Sequence, residues 1–389
     1  MNVLVLVALA GFADPAAEAP RYEAEQIFTP VEKQTHAPGI VECANGDLLA
    51  SWYGDAGDSD AAVLGARKTK GEDAWSEQFV LADRRGFPDC NTCMMIDGQA
   101  RLWLFWPTVV GGSWESCLMN YRVSASYQDP GAPKWDREGL ILLKPDNFRD
   151  EALKLLGDRK IRKPRGAIGG PDAQREKLGD PLYQRMGWAP RCKPTVLPSG
   201  RILLPLYTDT FAISIMAVSD DDGSTWYASK PLIGFGNIQP TVLRRNNGTL
   251  VAYMRENGDR DRIRVSESTD DGLTWGTVGE TDLPNPGSGI DAVRLANGHW
   301  LLVYNDSASS RASLSAAVSD DEGRTWKSKR FLEKHAEGRY HYPAVIQGSD
   351  GTIHLIYSCF IAPENGQKQQ MVKGIKHVAF NEAWIRAGD

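Results

Sequence analysis

The chain has 389 residues, 42% hydrophobic and 24% charged, with a formal net charge of −6. That is ordinary globular composition with material for a large core, and the acidic balance excludes the broad basic face that nucleic acid requires. Six cysteines are too few to staple a chain this long, so a disulfide scaffold is excluded as well.

The first element is the apolar run VLVLVALAGF, Val3 to Phe12. At ten residues it is too short for a bilayer, which needs about 20. Small Ala-rich residues follow as far as Pro20, and the whole reads as a signal peptide lacking its positive start, or as a disordered N-terminus. The expectation is a secreted or periplasmic protein with no membrane span, whose folded part is one domain over 21–389.

From there the chain alternates short Gly turns with apolar, strand-like runs. The turns are Asn45-Gly46, Asp97-Gly98, Ser199-Gly200, Asn247-Gly248, Asn297-Gly298 and Asp350-Gly351. Asn-Gly and Asp-Gly between apolar runs signal hairpins, and a type I′ turn requires positive φ at both central residues. Five of the six are followed by a segment ending in Trp75, Trp135, Trp226, Trp275 or Trp326. The last three of these repeat one phrase: SDDDGSTW, STDDGLTW and SDDEGRTW. Such a phrase suits a tight turn between outer strands, with Ser and Asp capping backbone amides, Gly in the strained position and Trp packed between sheets. The twelve Trp are common both in carbohydrate binders and in β-rich cores, and most are assigned to the core.

Successive turn glycines lie 52, 102, 48, 50 and 53 residues apart. A strand-rich period near fifty predicts four-stranded propeller blades, so the fold class is all-β, a six-bladed β-propeller. The long interval carries an insertion of about 136–188 with a helical pattern (NFRDEALKLLGDRK) and a basic run (RKIRKPR), expected to lie outside the ring as a lid. Cys90-Asn-Thr-Cys93 is a lone CxxC without a second pair or a nearby His, and it reads as a buried pair or local disulfide rather than a zinc site. No nucleotide loop or metal spacing occurs, so no cofactor or metal is expected.

The repeated phrase is the Asp-box. On it, and over almost the whole chain from about Tyr22 to Trp384, the sequence resembles the bacterial BNR-repeat branch of the sialidase (neuraminidase) superfamily of six-bladed propellers. The resemblance implies a pocket at one mouth of the central channel, lined by residues just before each hairpin's first strand, such as THAPGIV, APRCKPTV, GNIQPTV, NPGSGIDAV and RYHYPAV. It also implies an acidic-sugar substrate held by three arginines, a tyrosine nucleophile helped by a glutamate, and an aspartate acid/base. Matched residue by residue, YHYPAV points to Tyr342, SSRASL to Arg311, and AYMREN to Arg255. The acidic loop GDAGDSDAAV points to Asp60, ahead of Asp58 and Asp55.

Two positions depart from that pattern. The Arg-x-Pro of the first arginine reads His36-Ala37-Pro38, and Gln239 stands near the place of the helper glutamate. Arg191 and Lys193 could supply the missing positive charge, and Asp291 and Asn305 of the fifth blade could line the pocket. Three functional readings follow: an exo-acting glycoside hydrolase of sialidase type on a sialic-acid-like or other acidic sugar; a polysaccharide lyase or other glycosidase using His36 and Tyr342 as base and acid; and a non-catalytic glycan-binding propeller. All three take a glycan partner, no nucleic acid, and a monomer.

Overall fold

A computed structural model describes residues 18–55, 60–156, 171–362 and 371–388. The signal-peptide-like start up to residue 17, Asp58 and the basic run at 159–165 lie outside the described residues. Six antiparallel sheets form the propeller. Blade 1 is built from Thr35–Glu42, Leu48–Asp55, Ala61–Lys68 and Phe79–Ala82; blade 2 from Cys93–Ile96, Leu102–Val109, Cys117–Ser124 and Arg137–Ile141. In blade 3, Ala189–Pro190 and Thr195–Val196 precede Ile202–Thr208, Ile213–Ser219 and Tyr227–Ala228. Blade 4 runs Asn237–Arg244, Leu250–Glu256, Arg262–Ser268 and Gly279–Pro284; blade 5 runs Asp291–Arg294, Trp300–Tyr304, Ser313–Ser319 and Ser328–Lys334. Blade 6 takes Arg339–Gln347, Ile353–Ile361 and Val372–Phe380 and is completed by the N-terminal strand Tyr22–Gln26. Each second strand is almost wholly buried, as in LWLFWPTV and ILLPLYT, because blades cover both of its faces. No helix among the described residues is long and apolar enough to cross a membrane.

The hairpin turns differ from the expected type I′. In each, the amide of one residue reaches the carbonyl three back, and the next ladder bond skips one residue further, as in Gly46 N to Cys43 O and Cys43 N to Asp47 O. That is a three-residue loop with a single left-handed residue, which is glycine at 46, 200, 248, 298 and 351 but Ala100 in blade 2. Two consecutive left-handed residues do occur, at Asp222-Gly223, Asp271-Gly272 and Glu322-Gly323, inside the Asp-boxes. There Ser219 Oγ accepts from the Gly223 amide at 2.8 Å, while Asp221 accepts from both the amide and the hydroxyl of Thr225 at 2.8 and 2.6 Å. The same bonds recur at Ser268/Asp270 and Ser319/Asp321. Glycine is required for space as well as for φ. A Cβ at Gly223 would press into Trp103 of blade 2, and one at Gly272 into Leu203 of blade 3.

Ring closure joins the two ends of the chain to blade 1. Glu25 Oε1 accepts from Lys68 Nζ at 2.6 Å and Trp75 Nε1 at 3.1 Å, and contacts His377 Nδ1 at 2.9 Å. His377 in turn stacks on His354, with Nε2 to Nδ1 at 3.1 Å. Burial alone would raise the Glu25 carboxyl, but bonds from His377, Lys68 and Trp75 outweigh it and hold it down at about 2. Burial, aided by His377, pushes the His354 imidazole down to about 4. Both shifts mean that the unfolded chain binds more protons, so stability falls with falling pH. The His354 contribution is lost as pH falls from about 6.5 to about 4, and that of Glu25 from about 4.5 towards 2. In urea unfolding against pH, His354→Gln is expected to flatten the upper window and Glu25→Gln the lower one.

The strand Arg137–Ile141 is the outer strand of blade 2, so the additional segment begins after it. Its helices Phe148–Leu156, Pro171–Gly179 and Pro181–Arg185 do not hang free outside the ring. Leu143, Phe148, Ala152, Leu178 and Trp188 are buried in one core with Phe211 and Ile213 of blade 3 and Met119 of blade 2. Lys177 pairs with Glu115 of the blade 2 loop at 2.5 Å. The segment is a buttress between blades 2 and 3. All six cysteines are free and buried, so Cys90 and Cys93 form no disulfide.

Candidate functional site

Three of the innermost strands break their ladder in the same way. Register shifts fall between His36 and Gly39, Ile238 and Thr241, and His341 and Ala344. At each break one residue is left-handed, Ala37 (φ 51), Gln239 (φ 55) and Tyr342 (φ 52), and proline follows it. A proline has no N–H to leave unpaired where the ladder is interrupted, and a bulge of this kind re-aims the side chain beside it. Left-handed backbone costs a non-glycine residue about 1–2 kcal/mol, so the surrounding structure must hold it there.

The bulges open onto a cleft of about 450 Å³ lined by Tyr53, Asn91, Ser113, Trp114, Glu115, Tyr207, Asp209, Thr210, Gln239, Arg255, Asn257 and Tyr342. Arg255 Nη1 donates to Tyr342 Oη at 3.1 Å and to Gln239 Oε1 at 3.2 Å. Asn91 Nδ2 donates to Tyr207 Oη at 2.8 Å. Burial would push the Tyr342 phenol up. The Arg255 and Arg311 guanidiniums outweigh it and leave the phenol below its usual value.

Arg311 sits behind the tyrosine and contributes through its field. Its Nη1 contacts His341 Nδ1 at 2.6 Å and its Nη2 donates to Gly287 O at 2.5 Å. Because the guanidinium donates, His341 Nδ1 is the acceptor. Burial and Arg311 push that imidazole down to about 3, so it is neutral, and its Nε2 is buried without a partner. His36 packs its ring on Tyr342 (centroids 4.7 Å), His341 (5.2 Å) and Phe360 (5.1 Å), with Nδ1 2.8 Å from Ser358 Oγ. Burial, then His341 and Arg191, hold it well below the usual imidazole value.

Tyr342, Arg255 and Gln239 therefore meet in the cleft, with the His36 ring packed on Tyr342 and Arg311 behind, bonded to His341. Other residues singled out from the sequence are placed differently. Arg191 is 1% exposed, and its terminal nitrogens donate to the carbonyls of Pro38, Tyr342 and Pro343 at 3.0, 2.5 and 3.2 Å. Those donors serve the bulges from beneath and do not reach the cleft. Lys193 and Asp291 are each other's partners at 2.8 Å, and Asp291 also accepts from Thr241 and the Val345 amide. Neither lines the cleft, so Lys193 does not provide the positive charge expected of it there. Asn305 is buried and donates to the carbonyls of Ser313 and Tyr340. Glu256, an obvious partner for its neighbour Arg255, pairs instead with Arg264 at 3.2 Å. Asp60 is half-buried where blade 1 resumes, beside residues 56–59 outside the described set, and it is not among the lining residues.

Tyr53, Tyr207 and Asp209 were not singled out from the sequence. Ladder pairing brings the end of each second strand beside the start of the first: Tyr53 faces His36, Tyr207 faces Ala189, and Arg255 faces Ile238. Tyr53, Tyr207 and Arg255 each stand seven residues beyond the left-handed turn glycine of their blade, while Asp209 and Asn257 stand nine beyond. That interval is the signal that could have found them.

The comparisons with known proteins agree with this architecture. Residues 188–355 match the model of the BNR repeat-like domain. The chain is 25% identical over 372 residues to a sialidase of Micromonospora viridifaciens; the match covers 90% of this chain but spans only about half, 51%, of that curated relative. Among solved structures, a Dyadobacter fermentans protein of unknown function superposes with a TM-score of 0.67 at 14% identity, covering 92% of this chain and 98% of that one. The leech intramolecular trans-sialidase, solved with 2,7-anhydro-Neu5Ac, gives 0.67 at 13% identity, covering 94% and 71%. Repeat, blade count and structural likeness together give the chain a sialidase-like six-bladed propeller fold that carries a BNR repeat-like match over residues 188–355.

Proposed function

We propose that the cleft is an exo-acting glycoside hydrolase site of sialidase type for a sialic-acid-like or other acidic sugar. The observation that carries the reading is the 3.1 Å bond from Arg255 to the Tyr342 phenol at the wall of the cleft. Tyr342 Oη attacks the anomeric carbon, and a phenol suits an anionic substrate because it brings no negative charge of its own to the encounter. Arg255, with Arg311 behind it, stabilises charge developing on the phenol and attracts the sugar carboxylate. Asp60, at the resumption of blade 1, is the proposed proton donor to the leaving oxygen. Trp114, 36% exposed at the cleft, offers a ring face to the sugar beyond the scissile bond.

The neutral His36 ring against Tyr342 supports a second reading, β-elimination from a uronic acid with His36 as base and Tyr342 as acid. Purified protein given a fluorogenic sialoside is expected to release the fluorophore. No release, with rising ultraviolet absorbance from an unsaturated product on a uronate polymer, decides for elimination. Binding without turnover of either leaves a glycan-binding propeller.

A further inference from the structure

Only two carboxylates line the cleft among the described residues, Glu115 and Asp209. Glu115 is neutralised by Lys177 of the buttress at 2.5 Å. Asp209 is different: no donor among the described residues reaches its carboxylate, and the adjacent Thr210 Oγ1, also at the cleft, is buried without a partner. The short loop that carries Asp209 is nevertheless firmly held. Thr210 N donates to Thr208 Oγ1 at 3.2 Å, and Ala212 O accepts from Gly236 N at 2.8 Å. Phe211 packs on Phe148 of the buttress with ring centroids 5.5 Å apart. An unpaired carboxylate on a rigid loop in the same cleft as Tyr342 and Arg255 is a costly arrangement for structure alone, and it is a useful one for moving a proton.

We propose that Asp209 is the carboxylate that exchanges the proton with Tyr342 during glycosidic cleavage, filling from blade 3 the role that the amide of Gln239 in blade 4 cannot. The inference rests on the tyrosine reading of the cleft. In the first half-reaction the Tyr342 Oη–anomeric carbon bond forms as the phenol proton passes to Asp209. The anomeric carbon–oxygen bond to the leaving group breaks, and that oxygen takes the proton of Asp60. In the second half, water attacks the anomeric carbon and gives its proton to Asp60, while Tyr342 departs and recovers its proton from Asp209. Atoms and charges balance with no further reactant.

The electrostatics fit this exchange. The groups whose charge is coupled to that of Asp209 are Arg255 of blade 4, Tyr207 of its own blade, Tyr342 of blade 6 and the Cys117 thiol of blade 2. Burial raises the Asp209 carboxyl, and Arg255 only partly offsets it. The phenol is lowered, so the two values approach one another, and a proton passes most readily between groups of matched affinity.

The test uses Asp209→Asn and Asp209→Glu in the full chain, assayed with the fluorogenic sialoside. Asp209→Asn is expected to lower kcat by about 100-fold or more, with KM little changed and the acidic limb of the kcat/KM profile lost. Asp209→Glu should restore part of the rate and return the limb. Equal, mild effects of both variants with the limb unchanged would overturn the proposal. A second arm needs no turnover. The ultraviolet difference titration of Tyr342, wild type minus Tyr342→Phe, should move to lower pH in the Asp209→Asn background, because a negative neighbour has been removed. An unmoved titration would also overturn it. Wild-type protein that leaves the sialoside intact overturns the tyrosine reading itself, a result distinct from either variant outcome.

Discussion

Tyr342→Phe is expected to reduce kcat on the fluorogenic sialoside by about 10³-fold or more, while the protein folds and melts like the wild type. Phenylalanine keeps the ring that packs on His36 and Arg191, and it tolerates the left-handed backbone as tyrosine does. What is removed is one oxygen, the acceptor of the Arg255 bond. The same loss is expected if the protein is an eliminating lyase, since that reading also gives the phenol its proton transfer, so the substitution tests the site ahead of the reaction. Binding of a monosaccharide acid should persist, because Arg255 then lacks one of its two partners and can turn further towards a ligand carboxylate. Activity retained in Tyr342→Phe would show that the chemistry resides elsewhere on the propeller. Binding lost together with activity would point to a pocket that has collapsed.

The scaffold was legible because its information is local. Each blade repeats a turn and, in three of the six, an Asp-box within about fifty residues, and these motifs make their bonds within themselves. The turn type was less legible: Asp97-Gly98 places glycine two residues before the left-handed position, which Ala100 occupies. The site was half legible. Tyr342 and Gln239 precede proline at the start of an inner strand, a position identifiable in one dimension. Tyr53, Tyr207 and Asp209 reach the same cleft from the far end of the next strand, through ladder pairing. Depth in the channel is also invisible in sequence. Arg191 and Lys193 occupy the corresponding inner segment of blade 3, yet the first lies beneath the bulges and the second pairs with Asp291.

That depth turns Arg191 into a stability prediction. Its guanidinium ties three carbonyls, those of Pro38 in blade 1 and of Tyr342 and Pro343 in blade 6, to an inner segment of blade 3. The ring of Tyr342 covers it at 5.1 Å. Arg191→Met retains the volume and strands those carbonyls, each unpaired buried acceptor costing about 1–3 kcal/mol. Relief from keeping a guanidinium out of water offsets part of this. Lysine, with one compact ammonium in place of a planar fork, cannot reach all three carbonyls and should recover only part of the loss. Urea unfolding of Arg191→Met is therefore expected to show a large drop in midpoint. Turnover should fall with it, because the left-handed turn at Tyr342 loses the group that holds its carbonyl. A substrate-binding arginine would behave in the opposite way, raising KM while leaving the unfolding midpoint where it was. That outcome would mean the bulges at Ala37 and Tyr342 are held by their own prolines and ladders, without a cation beneath them.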